Sequence, residues 1–228
     1  MSELPAQLPL ELPHRAAHEA EDFLVSGCNE VAVAAIDRWP DWPHPAMAVI
    51  GPAGSGKSHL VNVWRSKSGA TVVPACKIGE DSIARFGEAR AIAVEDIDHG
   101  IADEQALFHI LNMAAEQKLS VLLTSRRAPG ELSIALPDLR SRLRAVPLLG
   151  IADPDEALLR ALLVKLFADR QLAIEPHVVS YLALRIERST EAASRAVAEV
   201  DRLALASRRK VTRALVAEVL ARLAPNEP

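Results

Sequence analysis

The chain has 228 residues, enough for one sizeable hydrophobic core and a smaller second unit. Half of the residues are hydrophobic, a quarter are charged, and the net charge is −4, so general nucleic-acid binding is not expected. Cys28 and Cys76 match no metal or disulfide spacing, and no apolar run approaches membrane-spanning length. We therefore expect a cytoplasmic protein with no membrane partner.

Residues 1–20 are predicted to form a flexible N-terminal tail. Prolines at positions 5, 9 and 13 prevent a continuous helix or a central strand there. The tail contains a small apolar cluster, Gln7-Leu8-Pro9-Leu10-Glu11-Leu12. Such a cluster can dock in a partner's groove as an extended peptide, or it can fold back onto its own domain. Physical chemistry alone favours the second interpretation.

The folded part is predicted to begin with an apolar step, Phe23-Leu24-Val25, before a turn at Gly27. Asn29 is a suitable N-cap for a helix through Trp39, and the following Trp-Pro-Asp-Trp-Pro segment would end that helix. We expect the tryptophans of this segment to form a packed corner rather than a ligand platform.

Residues 51–58 read Gly-Pro-Ala-Gly-Ser-Gly-Lys-Ser and fill every fixed position of the phosphate-binding loop motif G-x-x-x-x-G-K-[ST]. Glycines allow the backbone N–H groups to approach phosphate oxygens, Lys57 supplies a cation, and the Ser58 hydroxyl can bind Mg²⁺. The loop lies between a strand ending at Ile50 and a helix to about Lys67, as the motif requires. The sequence thus predicts a nucleotide-binding protein.

A second strand is predicted over 70–74 and a helical stretch over 81–86, followed by an apolar strand over 91–94 that ends in acidic residues. Of these acids, one would hold Mg²⁺ and the next would orient a hydrolytic water, and we assign these roles to Glu95 and Asp96. A helix over 104–118 and a strand over 119–123 come next, and the polar residues after that strand would face the γ-phosphate. Alternating strands and helices predict an α/β fold with a mainly parallel sheet.

After Gly150 the pattern contains helices only. Asp153 or Asp155 can begin the first, a second is predicted over 178–186, Ser189 or Thr190 can cap the third, and Thr212 can cap the fourth. We therefore divide the chain into a tail (1–20), an α/β nucleotide-binding domain (21–150) and a small all-α domain (151–228).

Several of these segments resemble AAA+ ATPases of the DnaA group. The resemblance rests on Gly-Lys-Ser-His-Leu at 56–60, the acids at 95–98, Leu-Leu-Thr-Ser at 122–125, Leu-Pro-Asp-Leu-Arg-Ser-Arg-Leu at 136–143, and the helical lid. Within the group the chain is similar to the Hda family, short DnaA relatives that inactivate the replication initiator. The 136–143 segment and the Gln-Leu-Pro-Leu tail carry this closer likeness, whereas the phosphate loop is generic.

The resemblance implies roles for individual residues. Arg142 would be an arginine finger reaching into a neighbouring subunit's ATP, with Arg140 as the alternative, and such a finger can raise phosphoryl-transfer rates by several orders of magnitude. The tail residues Gln7, Leu8, Pro9, Leu10 and Leu12 would dock on the DNA polymerase sliding clamp. ADP or ATP with Mg²⁺ would be held by Phe23, Leu24, Val25, Pro52, Ala53, Gly54, Ser55, Gly56, Lys57, Ser58 and His59.

Three positions depart from the DnaA pattern. Glu95 and Arg126 stand where that group has aspartates, and the lid position that normally carries an arginine matches Glu191. Arg188 and Arg195 lie one turn away on either side of Glu191 and are alternative lid cations. These departures favour a protein with weak intrinsic ATPase that binds ADP and acts on its partner.

The resulting hypothesis is a regulator of replication initiation that, bound to the sliding clamp, stimulates hydrolysis of ATP on the initiator DnaA. The chain ends after the lid, without the helix-turn-helix domain of DnaA, so we expect no sequence-specific DNA binding. A homo-oligomer is left open. The alternatives are a self-assembling ATPase or loader, a nucleotide-bound inert adaptor and a small-molecule kinase, of which the lid and the segment around Arg142 disfavour the kinase.

Overall fold

The computed structural model describes residues 24–79, 89–117 and 119–223. The predicted clamp-binding residues, Phe23, the helix predicted over 81–86 and Lys118 lie outside the described residues.

A five-stranded parallel sheet forms the centre of the first part of the chain, with strand order β2-β3-β4-β1-β5. The central strands are short apolar runs buried on both faces, which is typical of a parallel sheet covered by helices. The predicted parallel α/β sheet is confirmed. The strands are β1 (Ala46–Ile50), β2 (Thr71–Pro74), β3 (Ala91–Glu95), β4 (Ser120–Ser125) and β5 (Leu148–Gly150).

Helices cover the sheet with two apolar layers. On one side lie α1 (Glu30–Asp37) and α2 (Lys57–Ser68), and on the other α3 (Glu104–Gln117) and α4 (Pro137–Ala145). Trp64 of α2 is fully buried, with Trp42 stacked on it at 5.1 Å between ring centroids and Trp39 edge-on at 6.3 Å. The tryptophans therefore form the packed corner that the sequence predicts.

The first helix differs from its prediction in two respects. It ends at Asp37 rather than Trp39, and the Asn29 side chain makes no capping hydrogen bond to it. Instead, Asn29 Nδ2 donates to the Leu24 carbonyl and Asn29 Oδ1 accepts from the Ser26 N–H, each at 2.9 Å. Asn29 thus stands at the predicted N-cap position, but its amide side chain stabilises the preceding turn instead of the helix.

Four helices follow the sheet and share a hydrophobic cluster of their own. Asp155 and Ser189 cap the first and third through their side chains, and the Thr212 hydroxyl accepts the Leu215 N–H at 3.4 Å. The second helix begins and ends earlier than the predicted 178–186. The bounds are α5 (Glu156–Asp169), α6 (Pro176–Ala183), α7 (Thr190–Ser207) and α8 (Arg213–Leu223).

Within residues 24–79, 89–117 and 119–223, no helix is both long enough and apolar enough to cross a bilayer.

Candidate functional site

The phosphate-binding loop connects β1 to α2 at the carboxyl edge of the sheet. Gly54 and Gly56 have φ values of 67° and 97°, and Gly56 stands immediately before the first residue of α2. Only glycine adopts this backbone region without strain. Because helix N-termini present free N–H groups and a positive dipole end, the loop and the start of α2 form an anion-binding concavity.

Lys57 is the buried cation of this loop. Its Nζ donates to the carbonyls of Gly51 (2.8 Å) and Pro52 (2.7 Å), which fold the side chain back over the loop. Burial lowers the pKa of the Lys57 ammonium below its ordinary value of 10.5, Asp96 opposes that shift, and Arg126 adds to it. Asp96 and Asp98 do not fully offset the effect of burial on the ammonium, so the added negative charge of a bound phosphate is favourable there.

The acidic segment after β3 is tied to the end of β4. Asp96 has a left-handed backbone conformation, and its N–H donates to the buried Thr124 hydroxyl at 2.9 Å. The Asp98 side chain is 6% exposed, and its Oδ1 accepts the Arg126 N–H at 3.0 Å. Burial opposes ionisation of Asp98, but the backbone N–H groups of Arg126 and Asp98 and the nearby His99 together lower its pKa. Asp98 therefore fixes the strand end beside the loop, a role that the sequence analysis missed.

Two cavities that share lining residues surround the loop. The polar one, about 250 Å³, includes Asp96 and Arg126 and six of the predicted ligands: Ala53, Gly54, Gly56, Lys57, Ser58 and His59. The other, about 330 Å³, has walls from Leu24, Leu158 and Leu162 and also includes Ser55, Gly56 and His59. Gly56, His59 and Thr190 belong to both. The polar cavity suits phosphates, and the apolar cavity suits a base and ribose.

Val25 and Pro52 lie outside the lining of both cavities. Val25 packs instead against the apolar layer under α1 and α2. The cavities therefore do not support the predicted nucleotide contacts of Val25 and Pro52. The Pro52 carbonyl does accept a hydrogen bond from Lys57.

Oxygen atoms that can bind Mg²⁺ lie at the carboxyl edge of the sheet. Ser58 and Asp96 line the polar cavity, while Glu95 does not. The Glu95 Oε1 atom is buried and has no hydrogen-bond partner among the described residues, as expected of a carboxylate that serves a cation. Carboxylate and hydroxyl oxygens are suitable ligands for this hard ion. Across the described ranges, however, no three His, Cys, Asp or Glu side chains form a cluster that could hold a metal by themselves.

The helical region contacts the loop directly at the start of α7. The Thr190 N–H donates to the Gly54 carbonyl at 2.7 Å, and the Thr190 hydroxyl donates to the same oxygen. A Cβ on Gly54 would lie 3.0 Å from Glu191 Cβ. Of the three lid residues considered from the sequence, Glu191 lines the polar cavity, and Arg188 and Arg195 do not.

Arg142 lies at the opposite edge of the sheet from its own phosphate-binding loop. It shares a small cavity with His44 and Pro45, which precede β1, whereas the loop follows β1. A five-residue strand separates these edges by about 16 Å. Arg142 is exposed, and among the described residues it has no ion pair within 4 Å. The structure therefore brings the loop, Asp96 and Glu191 together and leaves Arg142 apart from them.

Some of the cavity residues were not predicted from the sequence. From the sequence, Thr190 is identified only as a candidate helix cap, and neither Leu158 nor Leu162 is singled out for the site; both form apolar walls of the second cavity. Arg126, one of the polar residues after β4 that the sequence analysis expects to face the γ-phosphate, does line the polar cavity.

Comparison with known proteins connects this architecture to replication initiators. The chain matches no protein-family model. It is 24% identical over 230 residues to the chromosomal replication initiator protein DnaA of Cutibacterium acnes, which covers 90% of this chain and 46% of that protein. The chain thus spans about half the length of this relative.

Solved structures show the same fold. Domain III of the Thermotoga maritima replication initiation protein DnaA superposes with a TM-score of 0.76 at 17% identity, covering 89% of this chain and 95% of that one. A replication initiator DnaA bound to AMPPCP and single-stranded DNA gives a TM-score of 0.64 at 16% identity, covering 88% and 79%. The chain therefore has the AAA+ fold of DnaA domain III, and the sequence match indicates a weak homology to DnaA.

Proposed function

We propose that this protein binds ADP or ATP with Mg²⁺ at the junction of the sheet and the helical region. The phosphates would lie on the loop at Lys57, and the base in the apolar cavity beside Leu24 and Leu158. Ser58, Asp96 and Glu95 would hold the metal directly or through water. The nucleotide analogue bound to a DnaA of the same fold supports an adenine nucleotide as the ligand.

We further propose that the nucleotide-bound protein regulates replication initiation by acting on ATP held by the initiator. In this proposal Arg142 inserts into the initiator's nucleotide site and stabilises the charge that develops during phosphoryl transfer. The tail residues Gln7, Leu8, Pro9, Leu10 and Leu12 would dock on the sliding clamp and bring the protein to replicating DNA.

The observation that carries this proposal is the contrast between the two ends of the sheet. At the carboxyl edge, the first turn of the lid helix α7 contributes Glu191 to the polar cavity, where a negative charge disfavours the additional charge of a triphosphate. At the other edge, the exposed Arg142 has no ion pair among the described residues. This geometry suits a cation that serves another molecule's nucleotide better than one that serves its own.

The experiment measures hydrolysis of initiator-bound ATP with and without DNA-loaded clamp. We expect stimulation by the wild-type protein, and its loss in Arg142→Ala and in the double variant Gln7→Ala/Leu8→Ala. Arg144→Ala is the matched control, because Arg144 is an exposed arginine on the same helix, α4. Arg140→Ala tests the alternative finger.

The outcomes separate the candidate functions. An inert adaptor would keep its activity in Arg142→Ala. A self-assembling ATPase would release phosphate by itself, independently of clamp and initiator. Either result would overturn the proposed action in trans.

A further inference from the structure

The start of α4, the helix that carries Arg142, is held by a side chain from another helix. The residue at the N-cap position of α4, Leu136, is apolar and cannot cap the helix with its side chain. The Ala135 N–H donates to Glu104 Oε1 at 3.0 Å, and the Leu136 N–H donates to Glu104 Oε2 at 2.6 Å. Both oxygens of one carboxylate are therefore used on the backbone that leads into α4.

Glu104 is available for this contact because its neighbour caps α3. The Asp103 Oδ1 atom accepts the Ala106 N–H at 2.9 Å, so the carboxylate of Asp103 serves its own helix. Glu104 is the first residue of α3, and its hydrogen bonds reach residues 31 and 32 positions further along the chain. Two adjacent acids thus have different tasks: one stabilises α3, and the other connects α3 to α4.

The hydrogen bonds add to the apolar packing of α4 what that packing lacks. Leu139 and Leu143 are buried in the core, whereas Arg142 lies on the exposed face of this helix of nine residues. Apolar contacts are non-directional, and so short a helix is not stable by itself. The paired hydrogen bonds fix the point at which α4 begins. Arg142 lies only about 7.5 Å further along the helix axis than the first residue, Pro137.

We infer that Glu104 is a positioning residue for Arg142: its carboxylate holds the start of α4 and so sets the orientation in which Arg142 meets the initiator's nucleotide. The inference rests on the proposed action in trans and deepens it. Glu104 acts through the backbone of α4, since it lines neither of the cavities around the phosphate-binding loop. A catalytic group displaced by about 1 Å can lose about a hundredfold in rate, so the anchor of its helix matters.

The first measurement is amide hydrogen exchange on the full chain, which needs no partner. We expect Glu104→Ala to speed exchange in residues 135–145 by about tenfold or more, the effect of losing hydrogen bonds to a charged group, and to leave α2 unchanged. Asp103→Ala is the matched control, because it removes the adjacent carboxylate, whose hydrogen bond lies within α3. Glu104→Gln should recover part of the protection, because its amide oxygen can accept one of the two N–H groups.

The second measurement is hydrolysis of initiator-bound ATP at increasing concentrations of this protein on DNA-loaded clamp. We expect Glu104→Ala to lower the rate at saturation by about tenfold to a hundredfold and to leave the half-saturating concentration unchanged. Affinity for ADP should also be unchanged. A merely structural role would lower the melting temperature, or reduce the active fraction and so raise the half-saturating concentration, without changing the saturated rate.

The outcomes separate this inference from the proposed function. If exchange in residues 135–145 is no faster in Glu104→Ala than in Asp103→Ala, Glu104 does not hold α4 and the inference is wrong. If α4 exchanges faster but the saturated rate equals that of wild type, Arg142 does not need this anchor; the inference fails, and the action in trans stands. If wild type stimulates no hydrolysis, the proposed function fails and the role of Glu104 fails with it. Thermal unfolding shows whether each variant folds, and Glu104→Gln replaces Glu104→Ala if the latter does not.

Discussion

Lys57 combines burial with a position where a polyanion is expected. The residue is 7% exposed, and its ammonium donates hydrogen bonds to the carbonyls of Gly51 and Pro52. A lysine with a lowered pKa loses its proton at a lower pH than one in water, and only the protonated form attracts phosphate.

We therefore predict that nucleotide affinity falls with rising pH before the ordinary lysine pKa of 10.5 is reached. Without nucleotide, stability changes with pH in the opposite direction. Between the lowered pKa of folded Lys57 and the ordinary value of 10.5, the unfolded state binds more protons than the folded state. The contribution of Lys57 to the free energy of unfolding therefore rises with pH. Titrations of ADP between about pH 7 and 10 measure the first effect. In Lys57→Arg, whose side chain stays protonated there, an unchanged alkaline loss of affinity would assign the effect to another group.

Asp98 is a second residue whose ionisation is coupled to structure. Its pKa is lowered, so the stability it contributes is present above the unfolded pKa and is lost as pH falls through the folded pKa. We predict that Asp98→Asn lowers the free energy of unfolding by about 1–2 kcal/mol at neutral pH, because a charge-assisted hydrogen bond becomes a neutral one.

Denaturant unfolding of wild type and Asp98→Asn at a series of pH values measures this contribution. The difference should shrink as the pH falls below the ordinary aspartate pKa of 3.8. A difference that persists undiminished in acid would show that the carboxylate charge is not what stabilises the Arg126 N–H contact.

At the scale of elements, the sequence predicts the sheet well because its signals are local. Apolar runs of strand length bounded by the phosphate loop or by acids are typical of buried parallel strands, and β1, β3 and β4 fall within one or two residues of their predictions. The caps at Asp155 and Ser189 depend on a side chain and an N–H three residues apart, which a sequence reading can recognise.

Other features depend on contacts between distant segments and could not be predicted. Asn29 has the right type and spacing for a cap, but its amide is used by the Leu24–Ser26 turn. The hydrogen bond from Thr190 to Gly54 joins residues 136 positions apart. The cavity around the loop therefore has one wall that the motif predicts and one that only the packing of the helical region reveals.

The contact between the phosphate loop and α7 gives a prediction at this scale. Gly54 and Gly69 have nearly equal positive φ values, 67° and 69°, so alanine is strained by a similar amount at either position, about 1 kcal/mol. Only at Gly54 would the new Cβ also meet the lid, at 3.0 Å from Glu191 Cβ. A Cβ on Gly69 meets nothing within 4 Å.

We therefore predict that Gly54→Ala lowers stability at least as much as Gly69→Ala, because it adds a contact with the lid to the same backbone strain, and that only Gly54→Ala also weakens ADP binding. Thermal unfolding measures the first effect and calorimetric titration the second. Equal ADP affinities in the two variants would contradict a site shared by the loop and the helical region.

At the scale of the whole molecule, we propose two activities at opposite edges of one sheet. We propose that residues 21–150 and 151–228 act as the nucleotide-binding domain and its lid, and that residues 1–20 connect them to the clamp. Nucleotide at the carboxyl edge would order the lid through Gly54 and Thr190, while Arg142 remains available to a partner. The two sites are then separable by mutation.

The most direct test of this account is a single-turnover experiment that identifies whose ATP is hydrolysed. The initiator is loaded with γ-labelled ATP, this protein with unlabelled ADP, and the two are mixed on DNA-loaded clamp. We predict labelled phosphate release that is about 1,000-fold faster with wild type than with Arg142→Ala, the scale of an arginine finger, and unaffected by Arg144→Ala. Label release that is equally fast with Arg142→Ala, or that appears only when this protein carries the labelled ATP, would contradict it.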